Sequence, residues 1–132
     1  MIRVLLADDQ VLVRDGFRSI LDRDVTVEVV GEAANGLETL ELVDRTAPDV
    51  VLLDLDMPRM DGLTALPRIK EASPSSRVVI FSGRPTEALD AFQATSGAAG
   101  CIGKDEDWSR IIETLAAVVA ARHPASAIDV TD

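Results

Sequence analysis

Apolar runs and amphipathic stretches alternate along this chain, and the alternation predicts repeated strand–helix units. Ile2 to Ala7 is nearly continuous in hydrophobicity, the pattern of a strand buried on both faces. Val13, Phe17, Ile20 and Leu21 follow at i, i+4, i+7 and i+8, which is one face of a helix. Val25, Val27 and Val29 then alternate with polar neighbours, predicting a second strand nearer a sheet edge. Gly36 to about Ala47 predicts a helix with Leu37, Leu40 and Val43 inward, and Pro48 stops it. Val50 to Leu53 is a third, wholly apolar strand.

Met57-Pro58-Arg59-Met60-Asp61-Gly62 is rich in turn residues, and a helix through about Ala72 follows it. Asp61-Gly62 serves turn and helix-start chemistry here. Pro67 falls inside that helix, where it removes a backbone hydrogen bond or bends the first turns. Arg77 to Ser82 predicts a fourth strand around Val78-Val79-Ile80-Phe81. Pro85 opens the next helix in a first-turn position, where its missing N–H does no harm. Ala99 to Gly103 is a weak fifth strand of small residues. The last helix carries Trp108, Ile111, Ile112, Leu115 and Val119 on one side, with Pro124 beyond its end. Five such units predict an α/β fold, a doubly wound parallel sheet of five strands with five helices. In such a sheet, ligands bind outside the carboxyl ends of the strands.

Composition narrows this picture. The chain has 132 residues, of which 47% are hydrophobic, enough for one domain with a packed core. The expected domain is 1–122, with 123–132 a C-terminal tail or truncated linker around the lone His123. A net charge of −10 argues against direct contact with nucleic acid or an anionic membrane by this segment. One cysteine, Cys101, cannot form an internal disulfide, which favours a reducing compartment. The N-terminus lacks a signal-peptide layout, and no stretch approaches the ~20 apolar residues of a membrane-spanning helix. The expected location is the cytoplasm.

Four predicted strands each deliver polar side chains to one edge: Asp8-Asp9, Asp54, Ser82 and Lys104. Each residue alone has an ordinary reading as a loop acid, a turn residue or a solvated lysine; their coincidence at strand ends favours chemistry. Carboxylates gathered there repel one another, by about 4 kcal/mol for unit charges ~4 Å apart at an effective dielectric of 20. A hard divalent cation relieves the repulsion, and oxygen ligands favour Mg²⁺, Mn²⁺ or Ca²⁺. Lys104 suits a phosphoryl oxygen or a carboxylate, and Ser82 offers a small hydroxyl donor. A carboxylate beside a metal and a lysine is a plausible nucleophile, giving an aspartyl phosphate.

Taken together, Leu6-Ala7-Asp8-Asp9, Val51-Leu52-Leu53-Asp54-Leu55-Asp56-Met57-Pro58-Arg59-Met60-Asp61-Gly62, Phe81-Ser82-Gly83 and Gly97-Ala98-Ala99-Gly100-Cys101-Ile102-Gly103-Lys104 resemble the receivers of two-component response regulators over roughly residues 1 to 122. The resemblance implies a flavodoxin-like sheet of order 2-1-3-4-5. It implies Asp54 as acceptor of a phosphoryl group from a sensor histidine kinase. Mg²⁺ (or Mn²⁺) would be held by Asp8, Asp9, Asp54 and the main-chain carbonyl of Asp56. Ser82 and Lys104 would contact the phosphoryl oxygens, and a homodimer would form on activation. The chain would be a self-limited phosphate acceptor, not an enzyme. Two departures stand out. Cys101 occupies the place where the family usually has a switching Tyr or Phe, with Phe92 a candidate to fill the volume. Asp105 follows the lysine where many receivers have proline. The Lys104-Asp105 pair is similar to regulators of the NarL/FixJ type, which implies transcriptional output through a LuxR-type DNA-binding domain not present in these residues. Asp56 and Arg84, two beyond the acceptor and two beyond the serine, are candidates for tuning phosphate lifetime.

Alternatives remain. A single-domain or phosphorylation-independent pseudo-receiver, acting by protein binding, would keep the same fold. Asp54-Leu55-Asp56 superficially matches the loop of haloacid-dehalogenase-like phosphatases, but there that loop follows the first strand. Gly103-Lys104 is not a P-loop, since Ala98 and Asp105 break the pattern.

Overall fold

Strand and helix alternate through the whole described chain. The structure is a computed structural model, and it describes residues 1–104 and 111–121. The elements are β1 (Ile2–Ala7), α1 (Val11–Leu21), β2 (Val27–Ala33), α2 (Gly36–Thr46) and β3 (Val50–Leu53), followed by α3 (Gly62–Ala72), β4 (Arg77–Ser82), α4 (Thr86–Ser96), β5 (Gly100–Gly103) and α5 (Ile111–Ala120). All strand pairs are parallel and the order is β2-β1-β3-β4-β5, the order that the family resemblance implies. Trp108, Asp105, His123 and Pro124 lie outside the described residues.

The buried stretches of the central strands, Val4 to Ala7, Val50 to Leu53 and Val78 to Phe81, are apolar throughout because both faces of the sheet are covered. Leu5, Val51, Leu53 and Ile80 face one core with Val43, Ala65, Leu66, Ile69 and Leu89 from α2, α3 and α4. Their chain neighbours Val4, Leu6, Val50, Leu52, Val79 and Phe81 face the other, with Phe17, Leu21, Ile111 and Leu115 from α1 and α5. Alternate side chains of a strand point to opposite faces, so each apolar run feeds two cores. Burying one such leucine contributes roughly 1.5–3 kcal/mol.

Three expectations need correction. The second strand starts at Val27, not Val25, which is 87% exposed. Thr26 donates from its N–H (2.8 Å) and its hydroxyl to the Asp24 carboxylate, so Val25 belongs to a turn. The strand runs on to Ala33 through Gly31-Glu32, and its register on β1 slips between Val4 and Leu5. Leu37 faces solvent, and Thr39 and Val43 take the buried positions of α2 with Leu40 half-buried. Asn35 sets that phase by accepting from the Glu38 N–H at 2.9 Å, a side-chain N-cap. Pro85 stands at the N-cap of α4, one residue before its first turn. Pro67 does lie inside α3, on its exposed side, and the helix continues past it to Ala72. The carbonyl that loses its donor belongs to the exposed Leu63, where water can replace the lost bond.

Candidate functional site

Parallel register brings the strand ends to one edge. Ala7 pairs with Leu53, and the Asp54 N–H donates to the Ala7 carbonyl at 2.8 Å, so the residues after β1 and β3 emerge side by side. On the other flank the Lys104 N–H donates to the Ser82 carbonyl at 2.8 Å. One carboxylate oxygen each from Asp8, Asp9 and Asp54 lies within 4.8 Å of the others. Asp8 and Asp54 are buried, while Asp9 is exposed. The Lys104 ammonium sits 2.9 Å from Asp8 Oδ2 and 3.3 Å from Asp54 Oδ2. These four residues meet as the sequence predicts.

Hydrogen bonds fix the carboxylates. Asp8 Oδ1 accepts from the Gln10 N–H at 2.8 Å, and Asp54 Oδ1 from the Asp56 N–H at 3.1 Å. Asp8 Oδ2 is buried and faces the Lys104 ammonium at 2.9 Å. Burial pushes the Asp54 carboxyl up to about 6, the Asp8 charge adds to this, and the Asp56 N–H and Lys104 oppose it. Burial disfavours the Lys104 ammonium, yet its bond to Asp8 and the charges of Asp54 and Asp8 hold its pKa above the usual value. The pocket therefore carries more negative charge than one lysine offsets. Three carboxylates within 4.8 Å of one another beside one ammonium, two of them buried, are a donor set compatible with a hard divalent cation.

The other sequence-predicted residues divide. Asp56 and Arg84 form an ion pair of 2.7 Å at the mouth of the cleft; the Arg84 hydrogen bond is the main cause holding the Asp56 carboxyl below its usual value. The cleft is lined by Asp9, Gln10, Asp54, Asp56, Gly83 and Lys104. Ser82 is not among these: it is fully buried, and its hydroxyl accepts from the Arg84 N–H at 3.1 Å. Cys101 lies away from the cleft, half-buried, its thiol 3.5 Å from the Leu89 carbonyl. It packs against the same core cluster as Phe92. Asp61 is the N-cap of α3 and accepts from the Thr64 N–H at 2.8 Å. Gly62 is required by close approach, since a Cβ there would lie 2.3 Å from the Asp54 carbonyl oxygen.

Sequence reasoning missed Gln10 and Arg14. Gln10 lines the cleft and accepts from Lys104 at 3.2 Å, and Arg14 donates to the Asp8 carbonyl. Direct adjacency to the acid pair was the available signal for Gln10. Arg14 stands one helical turn further along, where a helix facing the strand end can return a long side chain.

The acidic pocket and its lysine stand outside the carboxyl ends of a doubly wound parallel sheet, where ligands bind in α/β proteins of this class. Residues 4–116 match the family model of the response regulator receiver domain, and the chain belongs to that family. It is 39% identical over 116 residues to an uncharacterized transcriptional regulatory protein of Bacillus subtilis, YxjL, covering 88% of this chain and 53% of that one. It is 36% identical over 115 residues to the chemotaxis protein CheY of Listeria monocytogenes, covering 87% and 96%. The solved receiver domain of a putative response regulator NarL from Mycobacterium tuberculosis superposes with a TM-score of 0.83 at 34% identity, covering 90% of this chain and 96% of that one. The chain thus spans about half the length of the first of these relatives. Among the described residues, no helix is long and apolar enough to cross a membrane.

Proposed function

We propose that this receiver takes a phosphoryl group on Asp54 from a phosphohistidine of a sensor histidine kinase and switches conformation in response. The observation that carries the reading is the meeting of Asp8, Asp9 and Asp54 within 4.8 Å, with Lys104 bridging two of them. With its carboxyl at about 6, Asp54 is mostly ionised at neutral pH and can attack. An Asp54 oxygen bonds to phosphorus, the P–N bond to the donor imidazole breaks, and its electron pair returns to the imidazole nitrogen. Asp8, Asp9, Asp54 and the Asp56 main-chain carbonyl would hold Mg²⁺, or Mn²⁺. When bound, that ion supplies charge neutralisation at the phosphoryl oxygens. Lys104 is placed to follow its charge from Asp54 to the new phosphoryl group.

The acyl phosphate carries about −1.5 to −2 charge in place of the single negative charge of the carboxylate, beside Asp8 and Asp9 that repel it. Ser82 would release the Arg84 N–H and turn its hydroxyl toward the phosphoryl group, drawing the β4–α4 loop inward and shifting a pre-existing equilibrium. Cys101 and Phe92 share the cluster beneath α4, and this supports α4 and β5 as the elements that feel the shift. The Asp56–Arg84 pair at the cleft mouth restricts the attacking water and so tunes phosphate lifetime. Residues 1–122 would form the domain and 123–132 a tail or linker. The protein would act in the cytoplasm, dimerise on activation, and control transcription through a LuxR-type domain beyond these residues.

Acetyl phosphate with Mg²⁺ tests this. Intact mass should show one added phosphoryl group per chain, absent from Asp54→Asn. Sustained turnover of a separate phosphate monoester would mean a phosphatase instead. No adduct from any donor would leave a pseudo-receiver that binds partners without phosphate.

A further inference from the structure

Arg14 on α1 makes two contacts that the phosphoacceptor chemistry above does not use. Its guanidinium donates from Nη1 to the main-chain carbonyl of Asp8 and from Nε to Glu32 Oε1 at 3.1 Å. The Asp8 carbonyl belongs to the peptide that joins Asp8 to Asp9, so this bond fixes the plane between two carboxylates of the cluster. The second Glu32 oxygen accepts from Arg18 Nη1 at 2.8 Å, and Arg18 also lies 3.6 Å from Asp22. Glu32 stands in the polar end of β2, paired in register with Leu6. The Asp8 N–H bonds to the next residue's carbonyl, that of Ala33, at 3.0 Å. The backbone of Asp8 is therefore held by the end of β2 on both flanks: directly at its N–H, in the Ala7–Asp8 peptide, and through Arg14 and Glu32 at its C=O, in the Asp8–Asp9 peptide.

We infer that Arg14 is a positioning residue for the divalent ion, orienting the Asp8–Asp9 peptide while Glu32 cancels its charge. The inference rests on the metal reading of the acid cluster and extends it to residues behind the pocket. The physical logic has two parts. Asp9 is exposed and, unlike Asp8, has no side-chain turn bond among the described residues; its carboxylate is aimed by the backbone that Arg14 pins. An arginine so near a cation site would also repel the ion, and Glu32, clamped by both Arg14 and Arg18, supplies the compensating charge. Arg18 is the internal control: it shares Glu32, but its recorded partners are Glu32 and Asp22, not the Asp8 carbonyl.

Calorimetric titration of Mg²⁺ into the metal-free full chain separates the possibilities. Arg14→Met keeps the apolar stem and should weaken Mg²⁺ binding about ten-fold or more, as loss of a partner behind a metal ligand commonly does. Arg18→Met should leave the affinity unchanged, although urea unfolding should find a comparable small loss of stability in both variants. Glu32→Gln keeps a hydrogen bond to Arg14 but strips the compensating charge, so Mg²⁺ should bind more weakly and with a changed salt dependence. Should Arg14→Met lack a cooperative unfolding transition, Glu32→Gln carries the test alone. Unchanged affinity in Arg14→Met or in Glu32→Gln, or equal weakening in Arg18→Met, overturns the positioning role. A wild-type chain that fails to bind Mg²⁺ at all overturns the metal reading and this inference together.

Discussion

Replacing Asp54 by asparagine should stabilise the metal-free protein at neutral pH, because the folded state holds this carboxylate against its preference for water. Its pKa rises from 3.8 to about 6 on folding, and each unit corresponds to 1.36 kcal/mol. A shift of roughly two units therefore costs the ionised form up to ~3 kcal/mol. The sign follows from linkage: the folded state binds the proton more tightly than the unfolded one. The folded state is favoured below the unfolded pKa, and that advantage is lost as pH rises through about 6. Asparagine does not ionise, and it can keep the bond from the Asp56 N–H that Asp54 Oδ1 accepts. Its amide meets Lys104 less well than the carboxylate does, so the gain should be about 1–3 kcal/mol. Urea unfolding in a chelator, at pH 7.5 and again near pH 4, measures it. The variant should be the more stable at the higher pH, and the difference should shrink at the lower. A pH-independent difference, or a variant less stable at pH 7.5, would refute the reasoning. Equal m-values are needed for the comparison.

Other perturbations probe separate links. Lys104→Met removes a charge that lowers the Asp54 pKa, so a carboxyl NMR titration should find Asp54 above about 6. Gly62→Ala drives a methyl to 2.3 Å from the Asp54 carbonyl oxygen; urea unfolding should show a loss of about 1–3 kcal/mol or more, with weaker acceptance of phosphate. Leu53→Ala opens a cavity beneath the acceptor and should cost about 2–5 kcal/mol, read the same way. Asp56→Ala and Arg84→Ala should each change the rate of phosphate loss in the same direction, because each breaks the same 2.7 Å pair. Unchanged rates would remove that pair from the lifetime account.

The sequence was most readable where one physical constraint acted alone. Val50 to Leu53 is apolar at every position because two cores claim it, and nothing else explains such a run. The acids after β1 and β3 and the lysine after β5 could be placed by topology, since parallel strands all deliver their ends to one edge. Legibility failed where tertiary contacts outweighed local pattern. Val25 keeps the alternation of Val27 and Val29, yet the Asp24–Thr26 turn takes it into solvent. Gly31-Glu32 hid the second half of β2, because a glycine and a charge break the apolar pattern, while the pairing of Glu32 with Arg14 and Arg18 appears only in three dimensions. Ser82 falls at the predicted strand end, but whether its hydroxyl faces the cleft depends on a bond to the Arg84 N–H that spacing does not reveal. Gln10 was passed over because a glutamine has no distinctive chemistry until a lysine from the far end of the chain arrives beside it.

Borohydride reduction addresses the acceptor most directly. The reagent converts an aspartyl phosphate to homoserine, and peptide mass mapping then reads which residue carried the phosphoryl group. After incubation with acetyl phosphate and Mg²⁺, homoserine should appear at position 54 and nowhere else, and it should vanish when the metal is chelated. Homoserine at Asp8, Asp9 or Asp56, or its absence under every donor and metal condition, would contradict the assignment of Asp54.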